Sequence, residues 1–213
     1  MIDLLKNRNI LLELYRPDES EFSLIDVPEL PFALIDGDGP PELEAGKAIR
    51  TLFQAIHLIR RQARERQGKA FVEPPVEMLY WADDPRDLAA GKRENWKWRV
   101  MITLPAGIDP AAFAASVEAA REHMDPVSRS LRMERFAEGR CVQILHAGPA
   151  DDVPPLLRRL YTRFLPDHGL EPAGAYHEIY LDDWSRVAPE KRKIILRQPV
   201  RPIAKGANER RVK

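Results

Sequence analysis

The sequence predicts an α+β protein built from duplicated β-α-β-β units, with antiparallel sheets meeting at a ligand cleft on a pseudo-twofold. Three observations predict it. The order strand, strand, helix, strand, strand occurs twice. The third strands read alike, "EMLYWADD" in the first half and "EIYLDDW" in the second. A separate helical segment joins the halves. The repeats are expected over about 20–105 and 130–200, with the linking helix at about 109–125, an N-terminal extension over 1–19 and a basic tail over 201–213.

"FSLIDVP" and "PFALIDGDG" read as two strands meeting at Pro28 to Pro31. A helix is predicted from about Pro41 to Arg66, because Leu52, Ile56, Ile59 and Ala63 recur at helical spacing. Arg60, Arg61, Arg64 and Arg66 gather at its end, where the helix dipole favours cations. "VEMLYWAD" and "NWKWRVMITLP" supply two more strands. The linking helix has Asp109 as N-cap and Pro110 in its first turn, with Phe113, Val117, Ala120 and Met124 as its apolar stripe.

The second half repeats the pattern. "SLRMERF" and "CVQILHAGP" are expected to join as a hairpin at Glu138-Gly139. Asp151 or Asp152 can cap a helix carrying Leu157, Leu160, Tyr161 and Phe164, and "AGAYHEIYLDD" and "RKIILRQPV" close the set. Each helix is expected on the same side of its sheet, with Ile56, Leu157 and Ile195 buried.

Composition narrows the function. The chain has 213 residues, 44% hydrophobic and 31% charged, the balance of a globular domain. A net charge of zero gives no support to a nucleic-acid binder or an anionic-membrane binder. One cysteine, Cys141, excludes an intrachain disulfide and a cysteine-cluster metal site, and reads as a buried structural thiol. "MIDLLKNRNILLELY" is too charged for a secretory signal, and no apolar run approaches a membrane span, so the expected location is cytoplasmic. "GDG" at 37 to 39 reads as a turn, because no GK[ST] follows.

The stretch "HEIYLDDW" carries the chemistry. Strand alternation puts Tyr176, Glu178 and Tyr180 on one face and His177, Ile179 and Leu181 on the other. An acid between two tyrosines is poorly hydrated if that face lines a cleft. Its pKa then rises toward the working pH, as a general base requires. The competing reading is an exposed strand glutamate flanked by a sheet-stabilising aromatic pair.

Several long motifs carry a family resemblance: "LYRPDESEFSLIDVPELPFALIDGDGPPE", "VEMLYWADD", "WKWRVMITLP", "EGRCVQILHAGPADDVP" and "HEIYLDDW…PEKRKIILRQPV". Over about residues 12 to 200 the chain resembles the GyrI-like small-molecule-binding proteins. The resemblance implies the duplicated unit and a central cleft for hydrophobic, often aromatic, ligands. Some relatives are fused behind a helix-turn-helix. Here the fold is expected to begin near residue 20, which is similar to the stand-alone branch. That branch includes hydrolases that open the cyclopropane ring of DNA-alkylating cyclopropanoid natural products with an aromatic cage and an acid. Departures concern ligand choice: Tyr176 stands where the family often has histidine, Tyr80-Trp81 where it often has two tryptophans, and "GDGPPE" where it has a phosphate-loop-like strand end.

The resemblance implies Glu178 as general base and Tyr180 as its catalytic partner, orienting water or bonding the ligand. Candidate ligand contacts are Tyr80, Trp81, Trp98, Met101, His146 and Tyr176. Tyr80 and Trp81 face opposite ways in a strand. Alignment of the halves favours Tyr80 and the family's aromatic pair favours Trp81, so both stay open. Trp98 shares a face with Trp96, Val100 and Ile102 and also reads as core, whereas Met101 lies opposite as an adaptable surface. His146, His177, Glu178 and Asp182 match no metal spacing, so no metal and no cofactor are expected. Two functions fit an acid among aromatics: hydrolysis of a flat cyclopropanoid, or sequestration or sensing of hydrophobic or cationic aromatic compounds. Inhibition of gyrase is a third idea, by family name only. The expected partner is a small aromatic ligand, with the oligomeric state open.

Overall fold

The computed structural model describes residues 13–68, 72–105, 107–123, 130–183 and 186–204. Residues 1–12, the linking helix's Met124, Trp184 and tail residues 205–213 lie outside the described residues.

Among the described residues, nine strands are formed: β1 Ser23–Val27, β2 Leu30–Asp38, β3 Val76–Ala82, β4 Trp96–Thr103, β5 Arg132–Phe136, β6 Gly139–Ala147, β7 Leu170–Pro172, β8 Tyr176–Tyr180 and β9 Lys193–Pro202. Their lateral order is β1-β6-β9-β8-β3-β4-β2-β5, antiparallel throughout, with β7 paired to β9. The order reads the same from both ends once each half's strands are numbered alike. The halves therefore share one continuous sheet, joined where β3 meets β8.

In neither half does the first strand pair with the second, so the hairpin expected at Glu138-Gly139 is absent. β1 pairs with β6 of the other half, and β5 pairs with β2, so each half's first strand crosses to its partner's edge. Chain chemistry explains the first case. The β1–β2 connection is Pro28-Glu29, and proline holds φ negative, whereas two-residue hairpin turns need φ > 0. In the second, Glu138 is drawn into a buried ion cluster and Gly139 turns the chain at φ +69.

The long first helix is two segments, α1 Pro41–Ala55 and α2 His57–Gln67. They are offset at Ile56 (φ −98), although the hydrogen bonds Ile56 N–H to Leu52 O and Arg60 N–H to Ile56 O carry the helix through. A short α3, Pro85–Ala89, follows β3, capped by Asp84 accepting from Arg86 N–H. The linking helix α4, Pro110–Ala120, starts with Asp109 accepting from Ala112 N–H. It packs on α1 and α2, and Ser116 donates to Ala55 O at 2.7 Å. α5, Val153–Arg159, runs through a π-helical turn at Leu160–Phe164 into α6, Leu165–Asp167.

The expected stripe of Leu52, Ile56, Ile59 and Ala63 is buried. The first three pack with Val100, Ile102, Ile194 and Leu196 on the helix face of the sheet. Ile195 is buried as expected, but Leu157 is only half-buried, because it faces the open cleft. The opposite face has its own apolar layer, including Leu14, Phe32, Leu34, Leu79, Met101 and Cys141. Leu14 is 1% exposed, so the described part of the N-terminal extension is docked against the sheet.

Gly37 on β2 lies against the face of the Trp98 ring, and a Cβ at this position would overlap that ring. Gly37→Ala should therefore destabilise the fold by about 1–3 kcal/mol, as overpacking does. A lowered urea midpoint with an unchanged slope checks this.

Candidate ligand cleft and its acid

Pairing of β3 with β8 sets Tyr80 opposite Tyr176, Met78 opposite Glu178 and Val76 opposite Tyr180. Strand alternation turns these side chains to the helix face, where α1 and α5 stand apart and leave a cleft. The floor carries Tyr80, Tyr176, Glu178 and Tyr180. Ile49 and Phe53 form one wall, and Leu157 and Tyr161 the other. The Tyr80 and Tyr176 rings stack at 6.2 Å with 26° between planes, and Trp96 meets Tyr80 edge-on at 5.8 Å. At the rim, the Arg93 guanidinium lies 5.5 Å over Trp96 and pairs with Glu42 at 3.0 Å.

Glu178 is tied down by phenols. Tyr176 donates to Oε1 at 3.0 Å and Tyr180 to Oε2 at 2.5 Å, while the Tyr80 hydroxyl lies 3.1 Å from that of Tyr180. Burial pushes the Glu178 pKa up, and the bonds from Tyr180, Tyr176 and Tyr80 only partly oppose it, so it stays above the ordinary glutamate value. Burial and then the Glu178 charge push all three phenols up as well. The tyrosines therefore remain donors at neutral pH. Glu178 lines the cleft, where a water or a ligand donor can approach it.

Four expected contacts lie elsewhere. Trp81 follows Tyr80 by one residue, so it projects to the opposite face and packs with that face's apolar layer. Met101 is fully buried in the same layer. Trp98 points the same way as Tyr80 but is 2% exposed, roofed by Gly37, and belongs to the core. His146 stands where its Nε2 meets Pro149 O at 2.9 Å, and it does not line the cleft. The wall residues Ile49, Phe53, Leu157 and Tyr161, and Trp96 beside the floor, escaped the sequence reading of the site. Trp96 shares Trp98's face but stands at the strand's outer end, and Phe53 flanks the buried stripe of α1. Half-to-half alignment of the third strands favoured Tyr80, which the β3–β8 register sets opposite Tyr176.

Directly behind Glu178, the other face of the same strands holds a buried ion cluster. His177 is fully buried; its Nδ1 is 2.9 Å from Glu138 Oε1 and its Nε2 3.1 Å from Glu77 Oε2. Arg197, 2% exposed, donates to Glu138 at 3.0 Å, to Gln143 Oε1 at 3.0 Å and to Leu14 O at 2.7 Å. Tyr15 and Thr103 hydroxyls donate to Glu77 Oε1 at 3.0 and 3.1 Å. Burial pulls the His177 pKa down, but Glu138 and Glu77 outweigh it and hold it above its usual value. Burial raises Glu138, but His177 and Arg197 reverse this and hold it at about 2.

An aromatic cleft with a desolvated acid at its floor is the site of a small-molecule-binding protein. The chain belongs to the GyrI-like small-molecule-binding domain family, whose model matches residues 20–201. A conserved protein from Listeria innocua is 31% identical, with 94% of this chain and 100% of that one covered and a TM-score of 0.80. A hydrolase from Listeria innocua is 29% identical over 94% of this chain and 100% of its own, with a TM-score of 0.74. The EcmrR C-terminal domain shares the fold alone, at 14% identity over 86% of this chain and 98% of that one, with a TM-score of 0.53. A search of the curated proteins returns no match. Among the described residues, no group of three His, Cys, Asp or Glu is placed to hold a metal, and no helix is long and apolar enough to cross a membrane.

A raised Glu178 pKa has a definite sign in stability. The group contributes most below its unfolded pKa, near 4.5, and loses that contribution as pH rises through the higher folded value. The stability of the parent relative to Glu178→Gln should therefore fall between pH 4 and pH 7. Paired denaturation curves across that range check it.

Proposed function

We propose that this protein hydrolyses electrophilic, flat, aromatic cyclopropanoid compounds, as a cytoplasmic detoxifying enzyme, with Glu178 as general base. The observation that carries the reading is the Glu178 carboxylate, desolvated on an aromatic floor and held by the Tyr176 and Tyr180 hydroxyls. The 29% identical Listeria protein described as a hydrolase supports a catalytic reading.

In this reading the ligand lies flat among Tyr80, Tyr176 and Trp96, which exclude bulk water. Glu178 takes a proton from a water whose oxygen attacks a cyclopropane carbon. As the new C–O bond forms, the strained C–C bond breaks. Its electron pair moves through the conjugated ring to the carbonyl oxygen, which is protonated to a phenol. Tyr180, bonded to Glu178, orients the water or the ligand oxygen. The net change is addition of one water, and rearomatisation and strain release leave the protein to supply positioning and one base.

A second reading is sequestration of a cationic aromatic compound. It is favoured by the same carboxylate beneath π faces, where Glu178 becomes a counter-charge and the rings a cation–π cage. Incubation with a cyclopropanoid substrate separates the two, with mass spectrometry detecting the water adduct. The expected result is turnover by the parent and a loss of about 10²–10⁴-fold in Glu178→Gln, the usual worth of a general base. Binding of a neutral aromatic should survive the substitution. Near-parent turnover by Glu178→Gln removes it as the base. No turnover by either protein, with cation binding lost in the variant, selects sequestration.

A further inference from the structure

The cleft reaction as described uses one face of β8, yet the most heavily buried charges of the described residues sit on the other. His177 is the neighbour of Glu178 in the chain. It is fully buried and has a carboxylate oxygen at each ring nitrogen, Glu138 at 2.9 Å and Glu77 at 3.1 Å. Nδ1 is hydrogen-bonded to Glu138, and Nε2 stands 3.1 Å from Glu77 without hydrogen-bond geometry. The two flanking carboxylates favour the charged ring, which lies across the thickness of one strand from Glu178.

The surroundings are nearly balanced in charge. Behind the strand stand Glu77 from β3, Glu138 from the β5–β6 connection, Arg197 from β9, the Tyr15 phenol from the N-terminal segment and the buried thiol of Cys141. With His177 protonated, two anions meet two cations. In front, Glu178 meets the phenols of Tyr80, Tyr176 and Tyr180, and Arg93 lies at the rim. Loss of the His177 charge would leave a net negative charge behind an acid that must itself be negative. Dry protein screens such a charge far less than water does, and a ligand on the cleft floor would dry it further.

We propose that the His177 imidazolium, clamped between Glu138 and Glu77, is a positioning charge that keeps Glu178 an anion when the cleft is filled. The proposal rests on Glu178 being the working acid of the cleft. Glu77 has the opposite effect, because its carboxylate stands on the same back face with its sign reversed. The symmetry of the fold underlines the pairing. The position equivalent to Glu178 across the β3–β8 join is Met78, and the position equivalent to His177 is Glu77. Each strand thus contributes one partner to the back-face pair, while only β8 supplies the cleft acid.

Opposite signs make the test selective. The Glu178 carboxyl is titrated directly by carbon-13 NMR in the full chain without ligand, its signal assigned by its loss in Glu178→Gln. In His177→Gln the Glu178 pKa should move up. In Glu77→Gln, which keeps an oxygen for Tyr15 and Thr103 and leaves Glu138 on His177, it should move down. Structural loosening alone would move both variants the same way. Movement in the same direction, or no movement in Glu77→Gln, overturns the proposal. If His177→Gln does not fold, the direction in Glu77→Gln decides. Because the titration needs no substrate, absent turnover in the parent refutes the hydrolase reading while the titration still decides this one. Where turnover is measured, the acid limb of kcat/KM should follow the same two directions, at nearly unchanged alkaline plateau rates.

Discussion

The antiparallel pairing of β3 with β8 is the constraint on which the site depends. It joins the halves at five registered positions, from Val76↔Tyr180 to Tyr80↔Tyr176. Because side chains alternate, one register sends Tyr80, Tyr176, Glu178 and Tyr180 to the cleft and Glu77 and His177 to the interior. A slip of one residue would exchange the two sets, burying the cleft acid and opening the ion cluster to water. The apolar residues between them, Leu79 and Ile179, are buried on the back face and hold the register.

That register places ionisable groups on both faces of a central strand, which is costly. Desolvation costs several kcal/mol per ion before pairing. The back-face cluster offsets this with close opposite charges, with hydroxyl donors from Tyr15 and Thr103 to Glu77, and with the Gln143 Oε1 and Leu14 O acceptors for Arg197. The front-face acid has no cation of its own within bonding distance among the described residues. It has phenols, which stabilise an anion less than a guanidinium would, and this is why its pKa stays raised.

Strand exchange ties the halves together beyond their central join. With β1 on β6 and β5 on β2, each outer edge of the sheet is supplied by the opposite half. The cleft walls belong to different halves, α1 to the first and α5 to the second. Their separation is therefore fixed by a sheet that both halves complete, not by a flexible interface.

Local periodicity in the sequence determined the element types, the buried stripe of the first helix and the face shared by Tyr176, Glu178 and Tyr180. Each follows from spacing of a few residues, so it survives without knowledge of the partner. Spacing also settled that Tyr80 and Trp81 oppose one another, but not which one meets the cleft. That depended on the pairing with Tyr176, a contact across about half the chain. Trp98 and Met101 show the same limit: their faces were legible, but Gly37 lying on the Trp98 ring and a second apolar layer enclosing Met101 were not. The exchange of β1 and β5 was hidden, because Pro28 disfavours a tight turn without saying which distant strand β1 joins instead. Glu77, Glu138 and Arg197 lie far apart in sequence and carry no common motif. Only the tertiary structure brought them to His177, since a buried charge is defined by what surrounds it and not by its neighbours in the chain.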